Sequence, residues 1–176
     1  MKRNIIYLLP LFFLFAVSSC MEDPEVWNSK VVDMSGDWYV QYNHESYGVD
    51  PFGVGFAELL TYNTASDDGT EMWLTDIVSG SATFREYKVK VPVITGALTF
   101  GSNEALVNAV DGYEIGVKIM NGKIIEDAVT LPSGYVADSI YFEVWFEDLE
   151  GATGIADDKL LVGGYRRTGF IEDEPH

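Results

Sequence analysis

Apolar and polar residues alternate along most of the chain after Ser35, which is the spacing of β-strands that bury one face. In the most regular run, 138–147, every second residue is apolar: Ile140, Phe142, Val144 and Phe146. Glycine, proline, asparagine and aspartate separate the runs, and no run has convincing helical periodicity. The pattern predicts eight or nine strands, at about 36–43, 54–64, 70–78, 82–93, 97–101, 114–120, 123–125, 138–147 and 159–170.

Two dipeptides indicate tight turns between these strands. Asp68-Gly69 predicts the turn before the third strand, and Asn121-Gly122 predicts a two-residue hairpin between 114–120 and 123–125. Both dipeptides suit hairpin turns because their residues tolerate positive φ. Residues 102–112 fit either one helical turn or a loop.

Consecutive strands with short connections favour an antiparallel sheet. Because strands do not alternate with helices, a doubly wound α/β fold is excluded. We therefore expect an all-β fold, an antiparallel up-and-down β-barrel of about eight strands, with a two-sheet β-sandwich as the alternative. Local connections favour a meander, and closure into a barrel removes exposed strand edges.

The N-terminus has the features of a secretion signal. Lys2 and Arg3 precede an apolar run, 5–17, that is short for a membrane span. Val17-Ser18-Ser19-Cys20 resembles the bacterial lipobox, in which the cysteine is acylated after cleavage. We expect residues 1–19 to be a signal peptide, 20–34 a lipidated Cys20 and tether, 35–171 the barrel domain and 172–176 a frayed tail.

Charge and cysteine content restrict the possible partners. Without Lys2 and Arg3 the chain has 9 basic residues against 28 acidic ones, a formal charge of −19, which disfavours nucleic acid and attachment to membranes through basic patches. One cysteine allows no internal disulfide. No zinc or EF-hand spacing occurs, and we expect no cofactor and no metal. Acylated Cys20 is then the expected membrane attachment.

Gly36-Asp37-Trp38 resembles the Gly-x-Trp of lipocalins and other calycins, which opens the first barrel strand. In that group the indole fills the closed end of the barrel, beneath a basic residue of the last strand. Arg166 and Arg167 lie in the last predicted strand, and alternation alone allows either to face inward. The resemblance therefore implies a barrel plug of Trp38 with Arg166 or Arg167.

The lipobox, the acidic tether, "SGDWYV" and the final "GYRRTGF" together resemble a Bacteroidetes lipoprotein family, described as lipid-binding putative hydrolases with a calycin-like barrel. The resemblance covers essentially the whole mature chain and implies a small apolar or amphipathic, lipid-like ligand. Acidic residues behind the cysteine also resemble a surface-export signal. The expected location is the cell envelope, as an outer membrane lipoprotein, with exposure at the cell surface as one option.

The binding residues are less clearly indicated. An eight-stranded barrel can hold one small ligand, and the aromatic candidates for its wall are Tyr62, Trp73, Tyr87 and Trp145. A filled barrel, acting as a surface accessory protein, is the alternative. A hydrolase is less favoured, because no catalytic motif is found and His44 is interpreted as an exposed loop residue.

Overall fold

The computed structural model describes residues 28–78 and 83–175, which form a closed barrel of eight antiparallel strands. Each strand pairs with its sequence neighbours, and β1 also pairs with β8. This confirms the predicted all-β up-and-down barrel and excludes the two-sheet sandwich. The strands are β1 (Gly36–Asn43), β2 (Phe56–Asn63), β3 (Glu71–Thr75), β4 (Lys88–Ile94), β5 (Thr99–Val107), β6 (Gly116–Thr130), β7 (Val136–Phe146) and β8 (Leu160–Arg166).

The core follows from the period-two pattern. Inward residues of β7 are fully buried at every second position from Ile140 to Phe146, as the alternation predicts. The same alternation is seen at β4, where Tyr87, just before the strand, and Val89 and Val91 within it are all fully buried. Apolar side chains from all eight strands contact one another in a single cluster, so the barrel encloses one core.

The predicted Asn121-Gly122 hairpin is wrong. These residues lie inside one long strand, β6, which pairs with β5 on one side and β7 on the other. Asn121 has a φ of 54°, and the pairing with β7 shifts register between Met120 and Lys123. The same tolerance of positive φ that suits a turn here allows a β-bulge.

Three other segments differ from the sequence prediction. Residues 102–107 belong to β5 rather than to a helical turn or loop. The fourth strand begins at Lys88, later than the predicted 82–93, and residues 79–82 lie outside the described chain. The predicted loop after 147 contains a short helix, α1 (Leu149–Thr153). The Asp68-Gly69 turn is confirmed, with Gly69 at a φ of 81°.

The up-and-down order gives the barrel two distinct ends. The upper end carries the connections 44–55, 108–115 and 147–159 and the described parts of the β3–β4 connection, 76–78 and 83–87. The lower end carries the connections 64–70, 95–98 and 131–135. A 3-10 helix, Val32–Met34, lies below β1, and its Met34 is fully buried. The N-terminal part of the described chain therefore enters the fold at the lower end.

The C-terminal residues contact the barrel where the sequence suggested fraying. Asp173 is 3% exposed and accepts hydrogen bonds from the backbone N–H and hydroxyl of Ser133, both at 2.8 Å. Glu174 accepts hydrogen bonds from Tyr39 and from Arg167. These polar contacts hold the end of the chain against β1 and the β6–β7 connection.

Candidate ligand-binding site

Trp38 and Arg166 close the lower end of the barrel. Trp38 is fully buried, and the guanidinium carbon of Arg166 lies 4.5 Å from the centre of its indole, a cation–π contact. The indole N–H donates to Thr61 Oγ1 at 2.8 Å, and that hydroxyl donates to the Met34 carbonyl at 2.7 Å. The one polar group of the indole, its N–H, therefore has a hydrogen-bond partner inside the core.

The glycine of Gly-x-Trp is needed because the guanidinium passes over it. A Cβ at Gly36 would lie 2.7 Å from Arg166 Nη1 and 3.2 Å from the indole. Arg166 also donates to Asp138 Oδ2 at 3.0 Å and to the Ser35 carbonyl. The pair Trp38 and Arg166 is called the lower plug below.

Arg167, the other candidate, lies on the outside of the barrel. Its guanidinium packs over Tyr39 at 5.4 Å and pairs with Asp37 and Glu58, both at 3.3 Å, and with Glu174. Consecutive strand residues point to opposite faces, so only one of the two arginines can contact Trp38.

Phe84 closes the upper end. It comes from the β3–β4 connection and stacks on Tyr42 with ring centres 4.3 Å apart. Phe52 from the β1–β2 connection and Phe146 from β7 also lie against the ring of Phe84, with centre-to-centre distances of 5.4 and 6.3 Å. We call Phe84 and Phe52 the upper cap.

Asp76 holds the segment that carries the cap. Its buried carboxylate accepts hydrogen bonds from the backbone N–H groups of Phe84, Arg85 and Tyr87, at 2.9, 3.0 and 2.7 Å. Burial raises the pKa of Asp76, while these hydrogen bonds oppose the rise. Arg85 adds a second attachment through its ion pair with Asp148.

Between plug and cap, buried side chains from all eight strands contact one another in one cluster. Tyr42 and Tyr87 are fully buried beneath the cap, with their hydroxyls 3.0 Å apart, and burial raises the pKa of both phenols. The described residues line three cavities, of about 510, 280 and 230 Å³, that open at the surface of the barrel, and neither Tyr42 nor Tyr87 lines any of them. Tyr87 is therefore an interior residue that packs rather than one that lines a described cavity.

The other aromatic wall candidates lie on the outer face. Tyr62 and Trp73 are cross-strand partners beneath Lys88, whose ammonium lies 5.8 and 4.8 Å from their ring centres. Trp145 packs beneath Lys118 at 4.3 Å. The inward positions beside them on β3 and β7 are filled by Met72, Leu74, Val144 and Phe146. Tyr62, Trp73 and Trp145 thus do not face the interior.

The largest of the three cavities is a groove at the lower end, lined by residues 92–94, 99–101 and 121–123 and called the lower groove below. Pro92, Val93, Ile94 and Phe100 give it apolar walls. Its volume of about 510 Å³ falls within the range of small-molecule sites.

The lower groove exists because β4 and β5 pair only at their tips. The paired residues are Val93 with Phe100 and Ile94 with Thr99, and the next backbone hydrogen bond joins Ala109 to Lys88. The Val93 N–H donates to the Thr70 carbonyl, on the β3 side of the strand. Because successive backbone nitrogens of a strand point to opposite sides, the nitrogen of Pro92 faces β5, and proline has no N–H to donate there. Gly122 lies against the Phe100 ring. A Cβ at Gly122 would be 2.4 Å from Phe100 Cδ2, so a side chain there would clash.

His44 is buried, so its interpretation as an exposed loop residue is wrong. It is 4% exposed, and its Nε2 lies 2.9 and 3.0 Å from the two carboxylate oxygens of Asp158. Its Nδ1 accepts backbone N–H groups from Ser46 and Tyr47 at 3.0 and 3.1 Å. The imidazole is therefore the Nε2–H tautomer, with both nitrogens engaged, and neither is free to take a proton from a nucleophile.

The Asp158 contact gives a pH prediction. Burial alone would raise the pKa of Asp158, but hydrogen bonds from Thr153 and His44 hold it below its ordinary value. Because this pKa is lower in the folded state than in the unfolded state, the ionised carboxylate stabilises the fold at pH values above the unfolded pKa of about 3.9. That stabilisation is lost as the pH falls from there through the folded-state pKa. We expect Asp158→Asn to lower the free energy of unfolding at pH 7 by ~1–2 kcal/mol.

Urea unfolding of wild type and Asp158→Asn at pH 7, 5, 4 and 3 measures this effect. The difference between the two proteins should shrink below about pH 4, where Asp158 of the unfolded wild-type chain takes up a proton while the depressed pKa keeps the folded-state carboxylate ionised. A difference that stays constant down to pH 3 would show that the carboxylate charge has no part in the contact.

A family model described as "Lipid-binding putative hydrolase" matches residues 23–171, most of the chain. The chain belongs to this lipid-binding family. The match includes the lower plug, the upper cap and the lower groove, and it agrees with the resemblance noted in the sequence. A search of curated proteins finds no match to the chain.

Two further observations on this member of the lipid-binding family concern the described residues alone. No helix there is long and apolar enough to cross a membrane. No group of three or more His, Cys, Asp or Glu side chains in the same part of the chain is placed to hold a metal ion.

Proposed function

We propose that this protein binds a small apolar or amphipathic, lipid-like ligand in the lower groove, on the wall of the barrel rather than in its interior. Membership of a lipid-binding family supports the ligand class. The observation that carries the choice of site is the contrast between a filled core and an apolar groove of about 510 Å³.

The walls of the lower groove suit an acyl chain. Ile94 is 66% exposed and Phe100 is buried beside it, so the groove has an exposed apolar rim and an apolar floor. Covering such a surface is favourable by about 25 cal/mol for each Å² removed from water. Large exposed apolar residues beside a cavity are typical of ligand or membrane contacts.

We further propose that Cys20 is acylated and holds the protein to the outer membrane of the cell envelope. Eight residue steps separate Cys20 from Asn28, the first described residue, which is at most about 29 Å of extended chain. Because the chain enters at the lower end, the anchor would hold the lower groove close to the bilayer.

Replacing Cys20 tests the anchor. In cells expressing Cys20→Ser, we expect the protein to move from the membrane fraction to the soluble fraction, because the thiol that would carry the acyl chains is gone. Immunoblotting of the two fractions, with wild type as the reference, measures the change. Full retention of Cys20→Ser in membranes would show that the acyl group is not the sole attachment.

Ile94→Asp tests the groove. In the full chain carrying Cys20→Ser, we expect this added change to weaken binding of the neutral probe N-phenyl-1-naphthylamine at least about tenfold, a loss of 1.4 kcal/mol or more. The matched control is Val107→Asp, since Val107 is 72% exposed at the upper end of β5. Equal loss in both variants, or in neither, would contradict the assignment of the site.

The filled interior also favours a second candidate function. A packed barrel with exposed apolar residues around its upper end could act as a surface accessory protein to which partners dock. Residues of this kind are Tyr47, Val49, Phe52, Ile77, Val107 and Ile155. Absence of any bound amphiphile in both the purified protein and the probe titration would favour this alternative.

A further inference from the structure

We infer that the ligand of the lower groove is an anionic amphiphile whose headgroup pairs with Lys123. This inference rests on the proposed function and specifies the ligand class for the same groove. It depends on the charges around the groove and on the point at which the N-terminal chain enters the fold.

Charge distinguishes the lower groove from the rest of the molecule. The whole chain carries 28 acidic residues and a formal charge of −17, yet none of the described residues that line the groove is acidic. Lys123 is the charged residue of the lining. A positive charge beside an apolar wall complements an anionic head attached to an acyl chain.

Lys123 is available for such a head. Its ammonium lies 5.4 Å from the ring centre of Tyr141, its cross-strand partner on β7. Among the described residues, no carboxylate lies within ion-pair distance of Lys123 Nζ. The flexible lysine side chain can therefore turn toward a bound anion without breaking a salt bridge.

Two acidic residues that contact or pair with the lining of the groove are already paired. Glu71, the cross-strand partner of Pro92, lies 3.6 Å from the ammonium of Lys90. Glu143, which accepts a hydrogen bond from Asn121, forms an ion pair with Lys159. That pairing lowers the pKa of Glu143. Neither carboxylate leaves an uncompensated negative charge at the edge of the groove.

The entry point of the chain places the groove beside a source of amphiphiles. Ser29 and Lys30 both donate to Asp67 in the β2–β3 connection, at 2.6 and 3.0 Å. Thr70, three residues further on, accepts the backbone N–H of Val93 at 2.9 Å. An anchored tether that enters here would bring the wall of the groove to the bilayer surface.

A matched pair of fluorescent probes tests the inference in the full chain carrying Cys20→Ser, where the protein's own acyl group cannot compete. The probes are 11-(dansylamino)undecanoic acid, which is anionic at pH 7, and its neutral methyl ester. At low ionic strength we expect the Cys20→Ser protein with an unchanged groove to bind the acid about two- to fivefold more tightly than the ester. A partly exposed ion pair has roughly this effect, and added salt should reduce it.

Lys123→Gln should abolish the preference for the acid, so that acid and ester bind this variant with equal affinity. Lys118→Gln is the control, because Lys118 lies on the same strand but over Trp145, and this variant should keep the preference. Equal affinity for acid and ester in wild type, or a preference retained in Lys123→Gln, would overturn the inference and leave groove binding intact. Binding of neither probe, or unchanged binding of both in Ile94→Asp, would overturn the proposed function itself.

Discussion

Trp38→Ala is expected to lower the free energy of unfolding by ~3–5 kcal/mol, the cost of a large-to-small change in a packed core. Trp38 is fully buried, and its removal also leaves Thr61 Oγ1 without the indole N–H and Arg166 without the ring beneath it. Denaturant unfolding followed by far-ultraviolet circular dichroism measures the loss.

Trp145→Ala is the matched control, since this indole lies on the outer face beneath Lys118. Its cost should be clearly smaller than that of Trp38→Ala, because this indole is only partly buried and water can reach the space that it leaves. A cost under 1 kcal/mol for Trp38→Ala would mean that the lower plug does not stabilise the barrel.

Asp76→Ala is expected to cost ~2–4 kcal/mol. The change removes the acceptor of three backbone N–H groups, those of Phe84, Arg85 and Tyr87, and each buried donor left without a partner is costly. The segment that carries the upper cap should loosen, and Phe84 should lose its stacking on Tyr42. Urea unfolding and amide hydrogen exchange of residues 84–87 measure the two effects.

Asp68→Ala is the control for the aspartate change itself. Asp68 also accepts two hydrogen bonds, from the N–H and hydroxyl of Thr70, but in an exposed turn where water can replace it. We expect it to cost much less than Asp76→Ala, as is usual for substitutions of exposed residues. Equal costs for the two aspartates would show that Asp76 does not organise the upper cap.

The barrel could be predicted from the sequence because each strand buries one face, and burial imposes a period of two. The pairing of Gly36 and Trp38 with an arginine of the last strand indicated which residues meet at the lower end. The choice of Arg166 over Arg167 was open, since it depends on the register between β1 and β8. Register is set by contacts between strands far apart in sequence.

Asn121-Gly122 shows why local signals can mislead. Asparagine and glycine tolerate positive φ, and both a hairpin turn and a β-bulge need residues with that property. The structure has the bulge because β5 and β7 occupy both sides of the strand. Tertiary pairing decided between two conformations that the local sequence allowed equally.

His44 and the lower groove could not be inferred from the sequence. Asp158, the hydrogen-bond partner of His44, lies 114 positions away, in the connection before β8. The groove had a weak signal, namely Pro92 in a strand pattern together with Gly101 and Gly122. A proline without an N–H and two glycines indicate an interrupted ladder, but not that the three positions are adjacent.

The outward position of Tyr62, Trp73 and Trp145 has a similar cause. Aromatic residues suit both faces of a sheet, and on the outer face lysine side chains cover them. Their size suggested a ligand wall, whereas alternation with Met72, Leu74, Val144 and Phe146 determines that they point away from the core.

Photo-crosslinking tests most directly the claim that the ligand binds on the wall and not within the filled barrel. The full chain carrying Cys20→Ser is irradiated with a fatty acid that bears a diazirine near the end of its acyl chain, and the modified peptides are identified by mass spectrometry. We expect modification within residues 92–101 and 119–123, and its loss in Ile94→Asp. Modification of Tyr42, Tyr87 or Phe146 instead would place the ligand beneath the upper cap and contradict the account.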